Sequence, residues 1–137
     1  MLEISNPAKF KIDSVFLNRV EKLVLAGEKK EGLISLVLVS PQKIKSLNKK
    51  WRDIDIATDV LSFELDKEKT LGEIYLCPQF IKKRYNEWQT ETMRALIHGI
   101  LHLLSYKHDN KKQLEKIISL ENKYIRQYGK KYSGKRN

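Results

Sequence analysis

One cysteine, Cys77, occurs in the 137 residues. A single thiol excludes an internal disulfide framework and a cysteine-based zinc ribbon. Long apolar runs are missing as well. The longest, Leu33–Val39, contains Ser35 and is far too short to span a bilayer. Met1-Leu2-Glu3-Ile4 lacks the basic stretch followed by an apolar one that marks a secretory signal. The expectation is a cytoplasmic protein with no membrane partner. Neither an internal repeat nor a low-complexity segment nor a dividing linker is visible. The length suits one domain with its own core, so residues 1–137 are read as a single domain.

Acid is scarce relative to base. Asp and Glu number 17 against 27 Lys and Arg, for a net charge of +10. The excess is uneven: residues 111–137 carry nine basic side chains and two Glu, and Pro41–Arg52 carries five basic side chains and no acid. A small basic domain favours polyanions, nucleic acid foremost. The same charge also suits a merely solvated surface. With 41% hydrophobic and 32% charged residues, the composition is that of an ordinary globular chain.

Strands and helices alternate along the sequence. Leu2–Ser5 reads as a strand. Asp13 or Ser14 caps a helix that runs to about Leu25 and stops at Gly27. Leu33–Val39, nearly all apolar, suits a strand covered on both faces. Ser40-Pro41 opens a short helix to about Trp51, and 52–58 reads as a loop. Val60–Leu65 alternates as a half-exposed strand, and Leu71–Cys77 is another strand. Phe80–Trp88 looks helical. Thr90 or Thr92 starts a strong helix to about Leu104. Lys111–Tyr128 is the last helix, with Leu114, Ile117, Ile118, Leu120, Tyr124, Ile125 and Tyr128 as its buried side. The tail 130–137 is expected to be disordered. The fold class is therefore α+β: a mixed four-stranded sheet with about five packed helices.

All three histidines fall within eleven residues, at His98, His102 and His108. Met93, Leu96, Ile97, Ile100, Leu101 and Leu104 form the apolar stripe of the helix. His98 and His102 are four apart and share a face that points away from that stripe, beside the small residues Ala95 and Gly99. His108 follows the helix end and can fold back to complete a triangle. Three neutral imidazoles suit zinc or a similar ion and leave a fourth position open, the arrangement of a catalytic site. The spacing is similar to that of the metzincin proteases. Those enzymes carry a glutamate base directly after the first histidine, where this chain has Gly99.

Three blocks resemble the YbeY endoribonucleases, also called rRNA maturation factors. The first is His98-Gly99-Ile100-Leu101-His102-Leu103-Leu104-Ser105-Tyr106-Lys107-His108. The second is Leu47-Asn48-Lys49-Lys50-Trp51-Arg52 followed by Thr58-Asp59-Val60-Leu61-Ser62-Phe63, and the third is Leu71-Gly72-Glu73-Ile74. The resemblance covers about residues 33–109. The family has Gly where Ser105 stands and Asp where Lys107 stands. The resemblance implies a mixed four-stranded sheet with the metal site on a helix and the following loop. It also implies one Zn²⁺ held by His98, His102 and His108, with Arg52 as the catalytic arginine of the cleft. The implied activity is endonucleolytic cleavage of single-stranded RNA, in small-subunit rRNA 3′ end processing and ribosome quality control. The implied partners are rRNA and the ribosome, and DNA is not expected.

The residues are compatible with that chemistry. The planar fork of Arg52 fits phosphate, although a loop arginine can equally pair with Asp53 or Asp55. Lys49 and Lys50 can guide a phosphate backbone. Asp59, Glu73 and Asp109 are candidate bases, and Trp51 and Tyr106 candidate stacking partners for bases. Cys77 reads as a small buried residue. Two other readings compete: a metzincin-like metalloprotease or other hydrolase, and a non-catalytic RNA-binding ribosome assembly factor stabilised by structural zinc. The expected geometry is convergence of the three imidazoles, with nitrogens about 3–4 Å apart around one point.

Overall fold

The computed structural model describes residues 1–133. Its elements are β1 (Leu2–Ser5), α1 (Ser14–Glu28), β2 (Leu33–Leu38), α2 (Pro41–Arg52), β3 (Val60–Lys67), β4 (Thr70–Leu76), α3 (Pro78–Arg84), α4 (Trp88–Leu103) and α5 (Lys111–Tyr128). The sheet order is β1-β2-β4-β3. β1, β2 and β4 run parallel, and β3 returns antiparallel to β4. This is the expected α+β fold with a mixed four-stranded sheet. β3 lies at an edge, so one of its hydrogen-bonding sides has no strand beside it.

Helix starts follow their caps. The Asp13 side chain accepts from the Val15 amide, Ser40 Oγ from the Lys43 amide, and Asn110 Oδ1 from the Gln113 amide. Pro41 and Pro78 sit at the first turns of α2 and α3, where a missing N–H costs nothing. The main core joins one face of the sheet to α1, α4 and α5 through Leu17, Val24, Ile34, Ile74, Leu96, Ile100 and Tyr124. A smaller core on the other face joins Ile44 of α2 to Val39, Leu61 and Cys77. The buried Cys77 agrees with its sequence reading.

Several expectations are corrected. α1 does not stop at Gly27; it runs to Glu28, and the left-handed residue is Lys29. Gly27 is needed because a Cβ there would meet the Tyr124 ring at about 2.5 Å. β2 is not evenly covered: Ile34, Leu36 and Leu38 are buried, while Leu33, Ser35 and Val37 are only half-buried. The helix expected at Phe80–Trp88 starts earlier, at Pro78, and ends at Arg84, with Trp88 opening α4. Leu114 and Ile118 of α5 are exposed, at 42% and 44%. Their positions fall outside the stripe of Ile117, Leu120, Glu121 and Tyr124 that packs inward. Residues Gly129–Ser133 continue as a π-helical turn, in which the Tyr132 ring lies 4.6 Å from that of Tyr128. The remainder of the tail expected to be disordered lies outside the described residues.

α4 is enclosed on nearly every side. Its Ala95 and Gly99 do not face away from the core: both are buried, and Gly99 lies against the sheet. A Cβ at Gly99 would meet Ile74 and Val60 at 3.2–3.3 Å, so the glycine is explained by close packing of α4 on β3 and β4. Gly72 of β4 is tighter still, with φ +155. A Cβ there would collide with the Phe63 carbonyl and the Leu103 side chain. The carbonyl belongs to the paired strand and cannot swing aside. Gly72→Ala is expected to destabilise the fold by about 1–3 kcal/mol, the usual cost of overpacking. The check is a thermal melt, in which the midpoint falls by several degrees; an unchanged midpoint would show that the strands separate freely at this point.

Candidate metal centre and its cleft

α4 carries His98 and His102 one turn apart, and its end aims the third histidine. Ser105 takes φ +74; its amide donates to the His102 carbonyl and the Tyr106 amide to the Leu101 carbonyl. This paired closure reverses the chain sharply and is most often built on glycine. A serine in that conformation costs of order 1 kcal/mol. Its Oγ donates to Glu64 Oε1 at 2.9 Å, which ties the turn to β3. Tyr106 is anchored on the opposite side. Its hydroxyl donates to Glu28 Oε1 at 2.7 Å, and Tyr124 donates to the other oxygen of Glu28. The carboxylate beside it pushes the Tyr106 hydroxyl up to about 12. Tyr106 is therefore a structural anchor and not the base-stacking residue the sequence left open.

The reversal brings His108 back over the helix. His98 Nε2 lies 3.0 Å from His102 Nε2, and His102 Nε2 lies 3.0 Å from His108 Nδ1. All three candidate ligand atoms lie within 4.8 Å of one another. Two nitrogens each about 2.05 Å from a tetrahedral ion would stand roughly 3.4 Å apart. The two pairs at 3.0 Å need to open by only a few tenths of an ångström to admit an ion, so this all-nitrogen donor set fits a metal. Burial, followed by the neighbouring imidazoles, pushes His102 down to about 4. It is therefore neutral near pH 7, as a ligand must be.

Nothing in the sequence points directly to the residue that orients His98, the first candidate ligand. Glu121 of α5, with its side chain 6% exposed, accepts from His98 Nδ1 at 2.7 Å. A carboxylate only accepts, so Nδ1 carries the proton and the Nε2 lone pair is left facing the other two rings. Arg94 lies 3.4 Å from Glu121 and donates to Asn122 Oδ1 at 2.9 Å, which neutralises the buried carboxylate. The available signal was an acid inside the apolar stripe of α5.

A cleft of about 250 Å³ opens beside the histidines, lined by Arg52, Val60, Leu61, Ser62, Phe63, His98, His102 and His108. The wall facing the imidazoles is the edge strand β3. Arg52 ends α2, where Asp53 takes the left-handed φ of 57 that stops the helix. Buried Asn48 holds the loop beyond it, donating to the Ile56 carbonyl at 3.0 Å. Among the described residues Arg52 forms no ion pair with Asp53 or Asp55; Asp55 pairs loosely with Lys49 at 3.9 Å. Lys49 and Lys50 do not line this cleft. They lie on the outer flank of α2 with Lys45, and the Lys50 ammonium sits 5.1 Å from the Trp51 ring centre.

None of the three carboxylates considered as bases lines the cleft. Glu73 alternates with the inward Gly72 and Ile74 and lies on the α2 side of the sheet, where burial and then the Glu73 carboxylate push Tyr75 up. Asp59 accepts from the Thr58 hydroxyl, and its carbonyl accepts from the Cys77 amide at the start of β3. Asp109 is exposed and donates its amide to Gln113. Lys107 is also exposed, in a separate groove with Lys112 and Lys116, and does not line the histidine cleft.

Comparison with known proteins agrees with the three sequence blocks. A family model described as Endoribonuclease YbeY matches residues 3–129. A Thermosipho melanesiensis protein named Endoribonuclease YbeY is 35% identical over 126 residues, covering 88% of this chain and 91% of that protein. A Phytoplasma australiense protein of the same name is 32% identical over 136 residues, covering 91% and 93%. A Thermotoga maritima protein solved in solution is similar over 98% of this chain and 94% of that one, with TM-score 0.69 and 30% identity.

The Glu121 contact leads to a direct expectation. Glu121→Gln keeps an acceptor for His98 Nδ1, and Glu121→Ala removes it. Loss of such an orienting partner weakens metal binding by about 10–100-fold. A zinc titration against a competing chelator should rank parent, Gln and Ala in that order; equal affinities would remove the orienting role. A second expectation follows from His102. Its folded form takes up a proton less readily than the unfolded chain, whose imidazole titrates near 6.5. Its contribution to stability is whole above that pH and lost as pH falls toward about 4. Chelator-treated protein should melt at a lower temperature at about pH 5 than at about pH 7. His102→Gln should show a smaller drop, and an equal drop would assign the acid sensitivity to other groups.

Proposed function

The chain belongs to the YbeY endoribonuclease family, and from that membership we propose that it is a zinc-dependent endoribonuclease cutting single-stranded RNA in rRNA maturation and ribosome quality control. The observation that carries this reading is the meeting in one cleft of three imidazole nitrogens and Arg52, which forms no ion pair among the described residues. A Zn²⁺ ion held by His98, His102 and His108 would supply Lewis acidity toward a phosphodiester. The three ligands leave room for a fourth, as catalytic zinc sites do. Arg52 brings two parallel N–H donors to the same cleft, where they can bind non-bridging phosphate oxygens and stabilise charge that develops on them. Glu121 fixes the His98 ring and its proton. Lys49, Lys50 and the basic flank of α2 serve the RNA backbone further out, in a contact that salt should weaken. The bases of single-stranded RNA are free to enter a cleft walled by an edge strand, whereas duplex bases are not.

The competing readings fare less well. A metalloprotease of the metzincin kind needs a proton acceptor at position 99, but this chain has Gly99 there, where even a Cβ would press on Ile74 and Val60 at 3.2–3.3 Å. A structural zinc site would close its coordination with a fourth protein ligand. Among the described residues the candidate cluster is His98, His102 and His108. No described helix is long and apolar enough to cross a membrane. Action on RNA in the cytoplasm, without a membrane partner, is part of the same proposal.

Arg52 and the histidines are separable by experiment. Arg52→Ala should retain zinc and thermal stability yet cut RNA more slowly, by a factor on the order of 10²–10³. Arg52→Lys should recover only part of that loss, since an ammonium keeps the charge but not the fork. His98→Ala should lose zinc itself. The measurements are metal stoichiometry, melting temperature and cleavage of a labelled single-stranded RNA. If Arg52→Ala cleaves as fast as the parent, the phosphate role is wrong. If all three variants match the parent, the nuclease reading fails.

A further inference from the structure

Close to Arg52 in sequence the chain exposes three large apolar side chains that the metal chemistry does not use. Trp51 is 60% exposed, Ile54 38% and Ile56 62%. Solvent-facing indoles of this size need an explanation when they adjoin a site. Trp51 is not loose: its ring meets Phe63 at a centroid distance of 5.9 Å and an angle of 61°, and Phe63 in turn meets Tyr75 at 5.9 Å. Phe63 itself lines the histidine cleft. The indole is thus held by an edge contact to the cleft wall, with much of its surface left to solvent. Lys50 lies 5.1 Å from the ring centre, Lys49 is one residue further back, and Arg52 is the next residue on. Positive charge therefore flanks the exposed ring on both sides in sequence.

We propose that Trp51, backed by Phe63, is a nucleobase subsite that stacks the unpaired base of the nucleotide adjoining the phosphate bound by Arg52. The inference rests on the endoribonuclease reading and adds the group that recognises the substrate's bases. Each element of the occupant has its match in the structure. The flanking cations suit a phosphodiester chain, the exposed indole suits a flat π-face, and the Phe63 bridge makes the ring continuous with the cleft. A base in a duplex already has neighbours on both faces and cannot lie on the indole, whereas an unpaired base can. Stacking accepts any base, so the subsite would select single strands without imposing a sequence.

The test pairs a protein change with a substrate change. Parent, Trp51→Ala and Trp51→Phe, each loaded with zinc, are assayed on a single-stranded RNA with one cleavage site. The same assays use RNAs in which the nucleotide on one or the other side of that site is abasic. Removing the stacking base should lower kcat/KM of the parent by about tenfold on one side of the cut. Trp51→Ala should lose a similar factor on the intact RNA and little more on the abasic one, while Trp51→Phe keeps most of the discrimination. Zinc content and melting temperature should be unchanged, because the ring is largely exposed. A Trp51→Ala protein slowed equally on intact and abasic RNA would overturn the subsite and reduce Trp51 to a brace for the loop. One that cleaves every RNA as the parent does would also overturn it, leaving the exposed indole to a protein partner. If the parent cleaves none of these RNAs, the endoribonuclease reading itself falls, and the subsite with it.

Discussion

The close approach of α4 to the sheet governs how the rest of the molecule can be arranged. A helix buried on nearly every side must be narrow where it meets strands, and Gly99 makes it so against Ile74 and Val60. Gly72 does the same from the strand side, beside Leu103 and the Phe63 carbonyl. This packing sets α4 beside the open edge of β3, so that His98 and His102 and the residues 60–63 become two walls of one cleft. A bulkier residue at position 99 would have to push the helix off the strands and widen the cleft with it. The site geometry is thus a consequence of core packing and not of the loops alone.

Around this framework, polar contacts fix what packing leaves free. Glu121 and Arg94 set the tautomer of His98 from the α5 side. Glu28 receives Tyr106 and Tyr124, joining the turn before His108 to α1 and α5. Ser105 reaches Glu64 on β3. The turn between His102 and His108 is therefore held from both sides, as a preorganised ligand set requires. Neutral imidazoles are favoured by burial at His102, so in the absence of an ion the cluster does not carry three mutually repelling charges near neutral pH.

Much of this was legible in the residues. The strand and helix order, the caps at Asp13 and Ser40, and the convergence of His98, His102 and His108 follow from spacing and turn chemistry. Other features depend on what a segment touches. Gly27 looks like a helix stop but is a packing site for Tyr124, a residue almost a hundred positions away. Leu114 and Ile118 fit an apolar periodicity, yet the stripe that packs is rotated toward Glu121 and Tyr124. Glu121 stands out in the sequence only as an acid inside the apolar stripe of α5, and nothing local says that its partner is His98, twenty-three residues earlier. Arg52 could be assigned to the cleft through family resemblance, whereas Lys49 and Lys50, its close neighbours in sequence, turn to the outer flank of α2.

The central claim is a zinc ion on three imidazoles with one position left open. X-ray absorption at the zinc edge of the metal-loaded protein tests it directly. The account predicts one zinc per chain, with three nitrogen neighbours from imidazole at about 2.0–2.1 Å and the remaining coordination completed by a light non-imidazole atom. A sulfur neighbour near 2.3 Å, a fourth imidazole shared from a second chain, or failure of the purified protein to hold stoichiometric zinc would contradict it.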